Sequence, residues 1–166
     1  MEWDGYRLVL DLGYATLPRL LAHWPDGALD AVVITHEHPD HCIDLHGLFR
    51  MRLYGDSGGP QLPLYCPPGV LERLSGLEPD VDLHAVFDVH LLPGIYRVGP
   101  FELTGLSLPH YVPNTGIRLE ADGIAVAYSG TLARPLCWPN SAATPTSSSS
   151  RPLTATAKPP APHVIS

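Results

Sequence analysis

The chain has 166 residues, enough for one domain with a hydrophobic core, and a net charge of −7 at pH 7. That charge excludes a general basic surface that attracts nucleic acid, although an RNA substrate is not excluded because a bound metal can hold a phosphate locally. No apolar run is long enough to cross a membrane, and residues 1–10 lack the pattern of a signal peptide. The three cysteines are odd in number and lack C-x-x-C spacing, so a reducing cytoplasm is the expected location.

The first elements predicted along the chain are a strand and a short helix. Residues 6–12 alternate and then become apolar, which predicts a strand that ends at the turn residue Gly13. Residues 16–24 predict a helix with Thr16 as its N-cap and with Leu17, Leu20 and Leu21 on one face.

A histidine-rich segment follows the next predicted strand, the apolar residues 31–35. Residues 36–41 read HEHPDH, which places three histidines and a carboxylate within six positions. In an extended segment His36 and His38 point to the same side, and Pro39 blocks a helix at its own position and disfavours one at His38. The donor groups are therefore expected to converge. Imidazole and carboxylate suit zinc, and iron or manganese less selectively; the alternative is a polar loop that happens to be rich in histidine.

The remaining elements alternate helices and strands. Helices are predicted at residues 43–54 and 68–77, and strands at 62–66, 84–92, 95–98, 101–108, 116–121 and 124–129. Asp122-Gly123 is a strong two-residue turn signal that makes the last two strands a hairpin. His110 lies between Pro109 and Pro113, in a rigid loop that cannot be helical.

The motif His36-x-His38-x-Asp40-His41, followed by Asp44-Leu45-x-Gly47-Leu48, resembles the signature of the metallo-β-lactamase-fold hydrolases. The surrounding residues look most like the branch that includes ribonuclease Z and related phosphodiesterases. The resemblance covers residues 6–130. It implies an α/β (α+β) fold, an αβ/βα sandwich with metals at one edge of its facing sheets. Residues 1–130 would be the N-terminal part of that domain, whose C-terminal half is missing or replaced.

The resemblance also implies a set of metal ligands. His36, His38 and His110 would bind one metal, and Asp40 and His41 would bind a second. An intact site would hold two Zn²⁺ ions, with Mn²⁺ or Fe²⁺ as alternatives, and would hydrolyse a small-molecule or nucleotide phosphodiester with a metal-activated water. Asp40 would also be catalytic, orienting the nucleophile and acting partly as a base. Asp11 is either a group that supports the metal site or a turn-capping aspartate, and the sequence leaves both open.

The chain departs from the family pattern after Gly130. Family members carry a metal-bridging aspartate at the next position, where this chain has Thr131, and they carry a later histidine on the second metal. We therefore expect one metal or fewer and impaired turnover. The alternative from a different functional class is a catalytically silent metal-binding or interaction protein that kept the scaffold.

Residues 131–166 contain no acidic residue and are dominated by Pro, Ser, Thr and Ala, which predicts a disordered tail. The alternative is a shifted reading frame. Deleting one base from GGC GAC GCT GGC CCG, which encodes Gly-Asp-Ala-Gly-Pro, gives the Gly-Thr-Leu-Ala-Arg of residues 130–134. If the serines at 147–150 use TCN codons, the restored frame encodes four apolar residues there. Restoration would thus return the aspartate and a helix followed by an apolar strand.

Overall fold

The computed structural model describes residues 1–55 and 59–132. The predicted tail after Leu132, and with it the downstream part of the frame-shift hypothesis, lies outside these residues. The described elements, in chain order, are β1 (Glu2–Trp3), β2 (Tyr6–Leu10), α1 (Thr16–His23), β3 (Ala31–Val33), α2 (Pro39–Tyr54), β4 (Leu62–Cys66), α3 (Val70–Ser75), a 3₁₀ turn (Leu83–Ala85), β5 (Phe87–Leu91), β6 (Ile95–Val98), β7 (Phe101–Ser107), β8 (Thr115–Ala121) and β9 (Ile124–Tyr128).

The first sheet has the strand order β1-β2-β3-β4-β5. β1 pairs antiparallel with β2, and the other neighbours are parallel. All three residues of β3 are buried because the sheet is covered on both faces, which explains the uninterrupted apolar run there. Parallel strands end at the same sheet edge, so the segments that follow β2 and β3 meet beside each other.

One face of this sheet packs against the helices. Val32, Leu64 and Phe87 point toward a core to which α2 contributes Leu45 and Phe49. None of the described helices has the length and apolarity that a membrane crossing requires.

The second sheet is antiparallel, in the order β6-β7-β8-β9. Its inner face packs on the first sheet, with Leu103 and Ile117 sharing a core with Val33 and Tyr65. The β8–β9 hairpin turns at Asp122-Gly123, where both residues have positive φ (50° and 78°), as the two-residue turn requires. The two facing sheets, with helices on the outer face of the first, give the mixed α/β sandwich expected from the sequence.

The structure corrects one prediction at the histidine-rich segment. Pro39 does not block a helix at its own position, because α2 begins at Pro39 and not at residue 43. Proline is tolerated in the first turn of a helix, where backbone N–H groups have no intrahelical acceptor. His38 is extended (φ −66°, ψ 142°), as predicted, and it is the N-cap residue of α2.

Candidate metal centre

The histidine-rich segment, residues 36–41, is held in place by backbone hydrogen bonds at the edge of the first sheet. The Ile34 N–H donates to the Tyr65 carbonyl at 2.8 Å, which continues the line of β3. His36 is fully buried, and its backbone forms an isolated bridge with Asn114. The His41 N–H donates to the His38 carbonyl at 2.9 Å as α2 begins. His36 and His38 therefore lie on an extended segment, and Asp40 and His41 lie on the first helical turn.

Three ring nitrogens converge at this loop. His38 Nδ1 lies 3.1 Å from His36 Nε2 and 3.1 Å from His110 Nε2. The ligand atoms of the three histidines all lie within 4.8 Å of one another. A single proton on His38 Nδ1 can join it to only one of its two neighbours, whereas a cation at the centre would satisfy three lone pairs at once.

The protonation state of the rings suits metal binding. Burial, with smaller contributions from the neighbouring histidines, lowers the pKa of His36 to about 4. The pKa of His110 is also lowered, first by burial and then by His38. Both rings are therefore neutral at pH 7, which is the form that ligates a metal. His110 Nδ1 is buried and has no hydrogen-bond partner among the described residues.

The orientation of the His36 ring is set by Thr35. The Thr35 hydroxyl donates its single proton to the Asp11 carboxylate, at 2.9 Å from Oδ2. Its oxygen is then free to accept the Nδ1–H of His36 at 3.0 Å. This leaves the lone pair of His36 on Nε2, the atom that faces the other two rings.

Asp11 connects this arrangement to His41. Its carboxylate accepts from the Thr35 N–H (2.7 Å), from His41 Nδ1 (2.7 Å) and from the Tyr128 hydroxyl (2.9 Å), as well as from the Thr35 hydroxyl. Its side chain is only 8% exposed. Of the two alternatives for Asp11, these contacts support the one in which it holds histidine side chains in position.

The second expected pair of ligands lies directly beside the first three. The rings of His36 and His41 have centroids 4.1 Å apart, and Asp40 Oδ2 is 3.5 Å from His41 Nε2. The Asp40 side chain is 66% exposed, at the open side of the cluster. The structure thus brings together all five residues that the sequence selected, in two adjacent groups.

Thr131 occupies the position next to His41 Nε2. In the neutral form of the ring, Asp11 accepts the Nδ1–H of His41, the lone pair is on Nε2, and the Thr131 hydroxyl donates to it at 3.0 Å. The backbone of Thr131 is held as well, since Asn114 Nδ2 donates to its carbonyl at 2.8 Å. A neutral hydroxyl therefore contacts the one nitrogen of His41 that could bind a metal.

Gly13 allows the loop after β2 to lie against the motif. A Cβ at Gly13 would be 1.7 Å from the Asp40 carbonyl oxygen. The Leu12 N–H donates to the His41 carbonyl at 2.7 Å, and the Asp44 N–H donates to the Leu12 carbonyl at 2.9 Å. The sequence marks Gly13 only as a turn residue, and the close backbone contact was not predicted.

Comparison with known proteins identifies the family. Residues 9–135 match the sequence family described as Beta-lactamase superfamily domain. The chain belongs to the metallo-β-lactamase superfamily. The resemblance and the fold class inferred from the sequence are thereby confirmed, and membership implies a divalent-metal site, for which the histidine cluster is the candidate.

Relatives cover most of this chain. Uncharacterized protein Rv1339 of Mycobacterium tuberculosis is 36% identical over 134 residues, which are 74% of this chain and 48% of the relative. Ribonuclease Z of Kineococcus radiotolerans is 29% identical over 127 residues, 72% of this chain and 40% of the enzyme. The crystal structure of the metallo-β-lactamase fold protein YhfI from Bacillus subtilis matches with a TM-score of 0.64 and 28% identity, over 77% of this chain and 52% of that protein. The chain spans about half the length, or less, of these relatives.

Proposed function

We propose that this chain carries the metal-binding part of a metal-dependent phosphodiesterase. His36, His38 and His110 would hold one divalent cation, with Zn²⁺ as the first candidate and Mn²⁺ or Fe²⁺ as alternatives. The convergence of three ring nitrogens carries this proposal: His38 Nδ1 lies 3.1 Å from both His36 Nε2 and His110 Nε2, and all three lie within 4.8 Å of one another. The similarity to a protein named ribonuclease Z supports a phosphodiester substrate. A small-molecule or nucleotide phosphodiester is the leading class, RNA is the second, and the cytoplasm is the proposed location.

The chain's own residues divide the work of hydrolysis. When bound, a divalent cation lowers the pKa of a water molecule and polarises a phosphoryl oxygen. Thr35 and Asp11 fix the tautomers of His36 and His41, so that the lone pairs face the site. Asp40 lies at the exposed side, 3.5 Å from His41 Nε2, where its carboxylate can orient a nucleophile and accept its proton.

Thr131 limits this chain to one cation in our proposal. A hydroxyl carries no negative charge to place between two cations, and here it is engaged with His41 Nε2 at 3.0 Å. Asp40 and His41 are then two ligands without the bridging carboxylate that the family pattern supplies. Turnover by the chain as it stands is therefore expected to be poor.

A second candidate function follows from the same contact. If the Thr131 hydroxyl keeps a second cation from binding at Asp40 and His41, the chain is a catalytically silent metal-binding or interaction protein that kept the scaffold. The contact between the Thr131 hydroxyl and His41 Nε2 is the observation that favours it.

Phosphodiesterase assays with Zn²⁺ or Mn²⁺ separate the two functions. We would measure hydrolysis of bis(p-nitrophenyl) phosphate by the chain, by Thr131→Asp, and by a chain with that change and the restored downstream frame. The phosphodiesterase proposal expects a low rate that His110→Ala abolishes and that the restored chain raises. If all three chains bind metal and none hydrolyses the substrate, the silent alternative replaces it. Resequencing the codons for residues 128–135 shows which of these chains the gene encodes.

A further inference from the structure

A cavity of about 300 Å³ lies beside the histidine cluster. The cavity and the cluster share a wall, because Asn114 lines the cavity while its backbone bridges to His36. The loop that carries His110 is closed by a hydrogen bond of 2.9 Å from the Leu108 N–H to the Asn114 carbonyl. A group bound in this cavity would therefore lie against the loop that carries His110 and against Asn114, whose backbone bridges to His36.

The walls of the cavity carry no formal charge. Among the described residues that line it there is no acidic, basic or histidine side chain, and four are prolines: Pro67, Pro68, Pro93 and Pro113. The loops after β4 and β5 are tied together, since the Leu92 N–H donates to the Cys66 carbonyl at 2.9 Å. Proline offers apolar ring surface and no N–H donor. Such walls favour an uncharged ring over an anionic phosphate.

Two buried oxygens without hydrogen-bond partners belong to residues that line the cavity. Asn114 and Thr115, which are 4% and 1% exposed, both line it. Asn114 Oδ1 and Thr115 Oγ1 have no hydrogen-bond partner among the described residues. Since Asn114 Nδ2 already donates to the Thr131 carbonyl, the remaining amide atom is an acceptor. A ligand with an N–H or O–H donor would satisfy a group that is costly to leave unpaired.

We propose that this cavity binds the uncharged, ring-bearing substituent of the phosphodiester through at least one N–H or O–H donor. The assignment of the ligand as part of a phosphodiester rests on the proposed function. The cavity volume limits the bound group to about the size of a single nucleoside. Both oxygens are covered in the free protein, so binding requires rotation of the Asn114 or Thr115 side chain.

Ligand titrations of the metal-free protein test this proposal separately from hydrolysis. The ligands are 1-methylcytosine and 9-methyladenine, each compared with the N,N-dimethyl derivative that lacks its amino N–H donors. NMR shifts of the Asn114 side-chain amide and the Thr115 methyl group report binding in EDTA. We expect the amino compounds to bind about three- to tenfold more tightly than their dimethyl derivatives, the value of one hydrogen bond. Equal affinity within both pairs, or no shift at these side chains, overturns the proposal.

Three variants locate the binding. Ser107→Trp fills the cavity from the exposed end of β7 and should abolish the shifts, whereas Glu102→Trp, an exposed position near the start of the same strand that does not line the cavity, should leave them unchanged. Thr115→Val should weaken the amino compounds about threefold without lowering the Tm, because the lost hydroxyl has no partner in the free protein. Binding that survives Ser107→Trp, or a clear fall in Tm for Thr115→Val, contradicts the assignment. Because no metal is present, these results do not depend on whether the chain hydrolyses phosphodiesters.

Discussion

The two sheets differ in how completely they are covered. The first sheet has the helices on one face and the second sheet on the other, and every residue of β3 is buried. Within residues 1–55 and 59–132, the second sheet is packed on its inner face only. Leu106 and Ile124 are 62% and 56% exposed, and four of the five residues of β9 are exposed. The candidate metal centre lies between these two regions and takes residues from both.

Because of this difference, packing fixes the positions of some site residues more firmly than those of others. His36, His38 and His41 are supplied by the covered sheet and by α2, which starts at its edge. His110 and Thr131 come from loops next to strands of the half-covered sheet. We therefore expect the positions of the motif residues to be robust, and the geometry at His110 and Thr131 to respond more to changes in the second sheet.

The largest effect is expected where the covered region is most tightly packed. Gly13→Ala places a Cβ 1.7 Å from the Asp40 carbonyl oxygen, a backbone atom that cannot move without moving α2. We expect a loss of about 3 kcal/mol or more in the free energy of unfolding. Chemical denaturation measures it. Gly47→Ala is the matched control, because there the nearest atom is the flexible Leu17 Cδ2 at 2.8 Å. Similar losses in both variants would argue against this account of the loop.

The next effect concerns the ligands themselves. His38→Ala removes the nitrogen that faces both other rings at 3.1 Å, so the affinity for Co²⁺ or Zn²⁺ should fall at least 100-fold. Titration with Co²⁺, followed by its visible absorption, gives the affinity. His84→Ala, at an exposed histidine in the 3₁₀ turn, serves as the control and should bind as the unaltered chain does. Equal affinities in the two variants would place the metal elsewhere.

A smaller loss is expected when a supporting carboxylate is changed. Asp11→Asn keeps the shape of the side chain but removes the negative charge of the carboxylate, whose Oδ2 accepts hydrogen bonds from His41 Nδ1 and the Thr35 hydroxyl. We expect metal affinity to fall about 10- to 100-fold. Isothermal titration with Zn²⁺ measures it, with Asp80→Asn at an exposed position as the control. An unchanged affinity would mean that Asp11 serves the turn and not the metal centre.

The smallest effect on stability is expected on the half-covered sheet. Val126 is 41% exposed on the terminal strand of its sheet, and a lysine there should discourage pairing between sheet edges of different molecules. Val126→Lys should change the free energy of unfolding by less than about 0.5 kcal/mol while reducing self-association. Sedimentation velocity at several concentrations measures the self-association. Chemical denaturation measures the free energy of unfolding, and the contrasting variant is Val32→Ala, which shortens a fully buried side chain and should be strongly destabilising. A large stability loss in Val126→Lys would mean that this face is covered in solution.

The sequence predicts the local parts of this site better than the distant ones. The motif residues lie within six positions, so residue type and spacing marked them as candidate ligands, whereas His110, which stands between two prolines, was selected through the family resemblance. The Asp122-Gly123 turn was predicted because its conformation depends on those two residues alone. The start of α2 at Pro39 was missed, since proline is unfavourable inside a helix but tolerated in its first turn.

Contacts between distant residues carry no local signal. Tyr128 and Asp11 are separated by 117 positions, and their hydrogen bond exists only because the two sheets face each other. Likewise Thr35 was predicted only as the end of a strand, and its role in fixing the His36 tautomer requires the carboxylate of Asp11 nearby. No motif or spacing in the sequence marked Asn114. Its side chain donates to the Thr131 carbonyl, and it lines the cavity beside the histidine cluster.

The most direct test is the number of Zn²⁺ ions bound, measured by native mass spectrometry and confirmed by isothermal titration. The account predicts one Zn²⁺ for the unaltered chain and none for His110→Ala, because the three-histidine cluster is the binding site. If His110→Ala retains the ion with unchanged affinity, or the unaltered chain binds none, the central claim is contradicted.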